Sequence, residues 1–332
     1  MSIRYLRTLA VLIILSLFIG GCGAGAFQVQ IIPDKQELQE TEIKRDKGFF
    51  VSDKIAVIDV DGVMFNRSQG GWMRKGDNPV SLFLEKLDKA ARDKNVKAVV
   101  LRLNSPGGSV SASDMMYHSL KEFKRKTGKP VIATMLDLAC SGAYYLACGC
   151  DGIVAQPSSV TGSIGTIMQT FSVAGTMEKI GVKAVSIKSG KMKDMASPLH
   201  DLSEEEKEIL ERIIVDFYEQ FLDVVESSRE DIDRKKLREL ADGRVFTADQ
   251  ALKAKLIDRI GYSNDGVKWA KKLAGVTKSR TVIYRRPMGY KPNIYGSAAN
   301  GSAGVGPLVN IEMPEWLNSG GTQFLYLWQP GI

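Results

Sequence analysis

The strongest constraint on this chain is the alternation of short apolar runs with segments of helical period between Ile55 and Leu273. The run IAVIDV at Ile55 to Val60 reads as a strand, and Val96 to Leu103 and Val131 to Leu138 read the same way. Between them, Val80 to Arg92 carries Val80, Phe83, Leu84, Leu87 and Ala91 at helical spacing. Ser111 to Lys126 sets Met115, Leu120 and Phe123 on one side. A short helix is predicted over Ser141 to Gly149, and strands over Ile164 to Thr170 and Val182 to Ile187. A long helix follows from about Ser203 to Ser227. Ser203 and Glu206 make a capping box at its start, and Ile209, Ile213, Phe217, Phe221 and Val224 form its apolar stripe. Two or three shorter helices occupy Arg234 to Leu273. Strands that alternate with helices imply a mainly parallel sheet with helices packed on it, an α/β fold.

The ends differ from this body. Arg4 and Arg7 precede an apolar run from Leu9 to Ile19, shorter than the ~20 residues of a membrane-spanning helix. It reads as the h-region of a secretory signal. Ile19, Gly20 and Gly21 lead into Cys22, an arrangement that resembles a lipobox, with lipid attached to Cys22. An uncleaved anchor helix is the other reading, and either places the bulk of the chain outside the cytoplasm. The expected organisation is a signal at 1–21, a spacer at 22–54, one folded domain at 55–275 and a flexible extension with an apolar tail at 276–332. The extension passes through Gly-, Ala- and Ser-rich residues from Gly296 to Gly306 before apolar character returns at Leu308 to Trp328. Such a tail can dock on its own domain or on a neighbour.

The net charge of +7 fits an anionic membrane surface as well as nucleic acid. The basic residues are spread among acids, with no long basic run interleaved with aromatics, so no nucleic-acid partner is expected. Of the four cysteines, Cys140, Cys148 and Cys150 remain beyond Cys22. Their spacing is no metal pattern, and buried free thiols are the expectation.

Four segments carry chemistry. Asn104 to Ser109 (NSPGGS) joins a strand to a helix, and adjacent glycines there let backbone N–H groups approach a ligand at a helix N-terminus. That is the requirement of an oxyanion hole, although an ordinary turn has the same sequence character. Ser141, in ACSGAYY, also opens a helix after a strand, where a serine is more often an N-cap than a nucleophile. Cys140 is the neighbouring alternative, but a thiol nucleophile normally needs a histidine. The chain has two histidines, His118 and His200, so a Ser/His/Asp triad stays open on spacing alone. A lysine base is the other solution. Lys188, Lys191 and Lys193 crowd the segment KSGKMKD at Lys188 to Asp194, and spacing does not choose among them. Such a lysine must lose its proton readily, which burial promotes. Thr161 to Gly165 (TGSIG) can aim Ser163 into a site or simply turn the chain.

Taken in order, LRLNSPGGSV (Leu101 to Val110), SGAYYLA (Ser141 to Ala147), TGSIG (Thr161 to Gly165), SGKMKD (Ser189 to Asp194) and GRVFTADQALKAKLID (Gly243 to Asp258) resemble the signal peptide peptidase A family of serine peptidases. The resemblance runs from about Ile55 to Ala274. It implies a Clp protease/crotonase-like fold and a Ser–Lys dyad of Ser141 and Lys193. It also implies an oxyanion hole at Gly108 with Gly107 beside it, and Ser163 contacting the lysine. The related Clp protease has a histidine base about 25 residues after its serine; Thr166 stands there in this chain. By the same resemblance the chain is the short form of the family, needs no metal, nucleotide or cofactor, and assembles as a homo-oligomer with serine and lysine from neighbouring subunits. Expected substrates are cleaved signal peptides and other extended apolar segments at the membrane. A crotonase-fold acyl-CoA enzyme and a non-catalytic envelope lipoprotein are the rival readings.

Overall fold

The computed structural model describes residues 37–68, 77–286 and 323–328. The leader at 1–21 and Cys22 lie outside these residues. Among the described residues, no helix is long and apolar enough to cross a membrane.

The strands that read as continuous apolar runs form the middle of one sheet. They are β2 (Lys54–Asp61), β3 (Val96–Ser105), β5 (Val131–Cys140) and β6 (Gly152–Ala155), parallel and adjacent in that order. Parallel strands need a crossover between them. Helices α1 (Pro79–Arg92) and α2 (Val110–Thr127) supply the crossovers from β2 to β3 and from β3 to β5. Both begin on a side-chain cap, Asn78 for α1 and Ser109 for α2, and α2 ends at Gly128 in the left-handed region.

The alternation of side chains splits the core in two. Ala56, Ile58, Val99, Leu101, Leu103 and Met135 face the larger cluster with α1, α2 and the long helix α5 (Glu204–Ser228). Ile55, Val57, Ala98, Val100, Ile132 and Val154 face the smaller one, covered by Val267 and Ala270 of α8 (Ser263–Leu273). On the latter side of the sheet, Asp59 and Arg102 are register partners on β2 and β3 and form a buried ion pair at 2.6 Å.

Beyond the middle the sheet runs outward to β10 (Arg259–Ile260) on one side. On the other it runs through β11 (Arg280–Arg285) to β1 (Gln39–Arg45). Two expected boundaries therefore move. Residues 39–45 belong to the sheet rather than to a spacer, and residues 280–285 belong to it rather than to a trailing extension. β1 carries little apolar sequence because it is an edge strand. It is held by antiparallel backbone pairing to β11 and by Lys54 bridging Glu40 and Asp93.

β5 is long enough to change partners. Its first half pairs with β3 and β6, and its last residues pair with β7 (Val160–Gly162), which in turn meets β9 (Val245–Thr247). A separate three-stranded sheet has β12 (Phe324–Leu327) in the centre, between β4 (Gly107–Ser109) and β8 (Ile167–Met168). Helices α3 (Gly142–Ala147), α4 (Ala174–Lys179), α6 (Arg234–Leu240) and α7 (Ala248–Lys253) complete the described elements. The strand predicted at Val182 to Ile187 does not form. Those residues lie exposed, Ile187 fully so, and among the described residues no strand pairs with them. The capping box at Ser203 and Glu206 is present; Glu206 and Leu210 are buried in the first half of α5, and the second half enters the main core through Phe221, Leu222, Val224 and Val225.

The Asp59–Arg102 pair gives a direct test of this core. Replacing Asp59 by Ala leaves the Arg102 guanidinium buried beside a lost carboxylate, and should cost about 3–5 kcal/mol in denaturant unfolding. A loss below about 1 kcal/mol would show that water reaches the pair.

Candidate active site

The C-terminal ends of β3 and β5 lie side by side, where ligands bind in parallel α/β sheets. Each strand end turns sharply into a helix. The first turn holds Gly107 and Gly108. Gly107 has φ of 106°, and its N–H donates to Ser105 Oγ at 3.1 Å. A Cβ on Gly108 would fall 1.9 Å from the Met64 carbonyl oxygen, so no side chain fits. Met64 straps the turn from outside: its N–H donates to the Gly107 carbonyl at 2.8 Å, and its carbonyl accepts from Ser109 N–H at 3.0 Å.

The second turn holds Ser141, at φ 52° and ψ −117°, a backbone conformation that side chains rarely adopt. Its N–H donates to the Gly162 carbonyl at 2.7 Å and its carbonyl accepts from Tyr145 N–H at 2.9 Å. The hydroxyl makes no cap bond, and Ser141 Oγ is buried without a hydrogen-bond partner. The cap role, the commoner one for such a serine, is therefore not the one it plays here. Strain of about 1–3 kcal/mol and an unsatisfied hydroxyl worth about 1–3 kcal/mol are concentrated on one residue. Structures retain such strain chiefly at functional sites.

The two turns touch. A Cβ on Gly107 would lie 2.8 Å from the Gly142 nitrogen, so the N–H following Ser141 and the glycine turn face one small space. The Tyr326 carbonyl oxygen of β12 lies in that space: it is 2.0 Å from the Cβ position of Gly107 and 3.2 Å from that of Gly142. β12 is antiparallel to β4, with Tyr326 opposite Gly108, and Trp328 N–H donates to the Pro106 carbonyl at 2.9 Å. The Tyr326 ring is fully buried against Tyr145 and Phe221, and its hydroxyl donates to the Phe217 carbonyl at 2.5 Å. The tail thus docks as a strand across the glycine turn.

Ser163 lies next to Gly162 and shares the tight backbone, with φ of 51°. It is buried, and its N–H donates to the Arg244 carbonyl at 2.8 Å. Cys140 is an unsuitable nucleophile. Burial pushes its thiol up to about 12, so the thiolate is scarce.

Neither histidine bonds Ser141. His118 is exposed on α2, and Asp114 bonds Tyr145 and Gln220 rather than that ring. His200 bonds backbone carbonyls near the lysine segment. Of the three crowded lysines, Lys188 pairs with Asp194 and Lys191 with Glu205. Lys193 is exposed and, among the described residues, enters no ion pair. No hydrogen bond joins Lys193 to Ser141 within the chain. The glycine turn, Ser141 and Ser163 are gathered by one chain; Lys193 stands on the solvent-facing segment apart from them.

Residues 123–277 match the sequence model of Peptidase family S49. A protein of Enterococcus faecium named for signal peptide peptidase SppA is 35% identical over 232 residues, which cover 70% of this chain and 67% of that one. A protein of Synechocystis named as a protease is 39% identical over 195 residues, 59% of this chain and 69% of that one. The chloroplastic serine protease SPPA of Arabidopsis thaliana is 33% identical over 258 residues, 76% of this chain and 38% of its own greater length.

Two substitutions separate the roles at these turns. Gly108→Ala forces its methyl onto backbone and should remove most peptide hydrolysis while lowering stability by about 1–3 kcal/mol. Cys140→Ala should retain kcat/KM within about threefold, since no bond to the thiol supports chemistry. A dead Cys140→Ala variant that still folds would reopen the thiol as nucleophile.

Proposed function

The chain belongs to peptidase family S49 as an SppA-type serine peptidase, and on that premise we propose that Ser141 is its nucleophile and Lys193 its general base. One observation carries the assignment of the serine. Ser141 Oγ is buried, unbonded and held on a strained turn against a glycine turn.

In this reading neutral Lys193 takes the Ser141 proton, with Ser163 orienting the amine. Ser141 Oγ attacks a peptide carbonyl. The Gly108 N–H stabilises the oxyanion, while Gly107, whose own N–H is held by Ser105 Oγ, lets the turn approach so closely. Lys193 then returns the proton to the leaving amine, and water hydrolyses the acyl-enzyme.

The lysine must be desolvated to act as a base near neutral pH. Within one chain it is exposed, on a segment that also presents Val185 and Ile187 to solvent. A second copy packed over this segment would bury those apolar groups and dry Lys193 in one step. That supports a homo-oligomer in which Ser141 of one subunit is completed by Lys193 of the next.

β12 supports the substrate class. An extended strand already lies antiparallel on β4 with a carbonyl at the glycine turn and an aromatic side chain in an apolar pocket. An extended apolar peptide would occupy the same track by strand addition. Cleaved signal peptides and other membrane-derived segments have that character. Anchorage through lipidated Cys22, with the domain outside the cytoplasm, belongs to the same proposal.

Ser141→Ala and Lys193→Ala should each abolish hydrolysis of a peptide ester without dispersing the assembly, read by light scattering. Mixing the two inactive variants should restore activity, because a mixed assembly contains intact pairs; no recovery would place both residues in one subunit. Removing residues 323–332 should lower KM for a short extended peptide. If β12 fills the track nine-tenths of the time, the fall is about tenfold. An unchanged KM would mean that substrate enters elsewhere.

A further inference from the structure

His200 sits between the lysine segment and α5, and each of its ring nitrogens faces a backbone carbonyl. Nδ1 is 2.9 Å from the Asp201 oxygen and Nε2 is 3.0 Å from the Asp194 oxygen. A carbonyl oxygen only accepts. Both contacts are hydrogen bonds only when both nitrogens carry hydrogen, which is the imidazolium form. In the neutral ring, one lone pair would point at a carbonyl oxygen.

The charges around the ring favour the same form. Asp194 Oδ2 is 3.8 Å and Glu206 Oε1 is 3.9 Å from Nε2. Asp194 also accepts from Lys188, and Glu206 is fixed by the hydroxyl and N–H of Ser203 in the capping box. Lys191 is drawn to Glu205 on the first turn of α5. The bonds to the Asp201 and Asp194 carbonyls hold the ring's affinity for protons above the ordinary histidine value; burial opposes them, and the Glu206 and Asp194 carboxylates each add less than burial removes. The polar atoms of Asp194, His200 and Glu206 lie within 4.8 Å of one another, a spacing that would suit a bound cation. With both nitrogens turned to carbonyls, the imidazolium is itself that cation.

What the ring holds is the residue next to the proposed base. The Asp194 carbonyl accepts from His200 and from Ser197 N–H at 3.0 Å, and Lys193 N–H donates to the Gly190 carbonyl at 3.1 Å. The turn that presents Lys193 is therefore tied through His200 to the start of α5, the helix whose far half is anchored in the core.

We propose that protonated His200 is a positioning residue for Lys193, clamping the lysine-bearing turn to the N-terminal end of α5. This rests on the reading of Lys193 as the base. The sign follows from the form required. The clamp is complete at pH below the ordinary histidine range and is released as pH rises through the ring's raised value. The lysine works in the opposite sense, since its neutral form grows as pH rises. Turnover then rises on the lysine limb and falls on the histidine limb, a bell in kcat.

The test measures kcat and KM against pH for peptide-ester hydrolysis by the assembled full-length protein, its His200→Ala variant and its His200→Arg variant. His200→Ala should lower kcat roughly tenfold to a hundredfold, the effect of a misplaced base, with KM nearly unchanged. His200→Arg keeps a permanent cation with donors for both carbonyls, and should recover most of that loss and remove the alkaline fall. A wild-type kcat in His200→Ala, or an alkaline limb in His200→Arg that matches wild type, overturns the clamp. NMR titration of the His200 ring in the Ser141→Ala protein reads it without turnover. A midpoint above the ordinary histidine value is expected, and one at or below it overturns the proposal. If Lys193→Ala hydrolyses at the wild-type rate, the reading of Lys193 falls, while the ring titration still reports whether His200 holds this turn.

Discussion

Parallel pairing of β3 with β5 is the constraint from which the candidate site follows. Parallel neighbours end on the same edge of a sheet, so two strand-to-helix turns that are separated in sequence arrive side by side. One must be glycine because Met64 backbone and the tail strand press on it; the other holds a serine in a conformation it would not choose. β7 fixes that conformation by taking the Ser141 N–H at the Gly162 carbonyl. β5 can bond β7 there because it has already left β6. The change of partners along β5 opens the sheet at the point where the serine must project.

The core was legible in the sequence because its signals are local and redundant. Val96 to Leu103 and Val131 to Leu138 are apolar on both faces, as buried parallel strands must be. Ser203 and Glu206 satisfy each other in the first turn of α5 as their spacing implies. The parts that misread share a different cause. β1 is polar and exposed, and exists because β11 offers backbone partners far along the chain. Val182 to Ile187 has the composition of a strand but, among the described residues, no partner strand. Composition predicts what a segment can bury, and long-range pairing decides whether it does.

The site residues divide in the same way. Ser141, Gly107, Gly108 and Ser163 lie on turns whose sequences announce tight backbone, although the strain at Ser141 and its unbonded hydroxyl are visible only in three dimensions. The tail was marked by its apolar character, but nothing in its sequence says that Tyr326 stacks on Tyr145 and Phe221. The sequence marked His200 only as one of two histidines that could complete a triad, not as a neighbour of the lysine turn. Its significance comes from two carbonyls, one of them on the residue beside Lys193, and backbone acceptors leave no mark in a sequence.

A lysine base poses a physical problem that a histidine base does not. Histidine titrates near neutral pH in water, whereas lysine must be taken out of water before it can accept a proton there. On the proposed assignment, a folded chain that exposes Lys193 holds the serine and the glycine turn but not the dryness a lysine base needs. Placing Lys193 on a segment with unsatisfied apolar surface makes that dryness conditional on covering the segment. On the proposed reading, the exposed Val185 and Ile187 are the apolar surface that a second copy would cover. If Lys193 is the base and a second copy covers its segment, as proposed, an unassembled chain is also unactivated, because the burial that joins two copies is what favours the neutral amine.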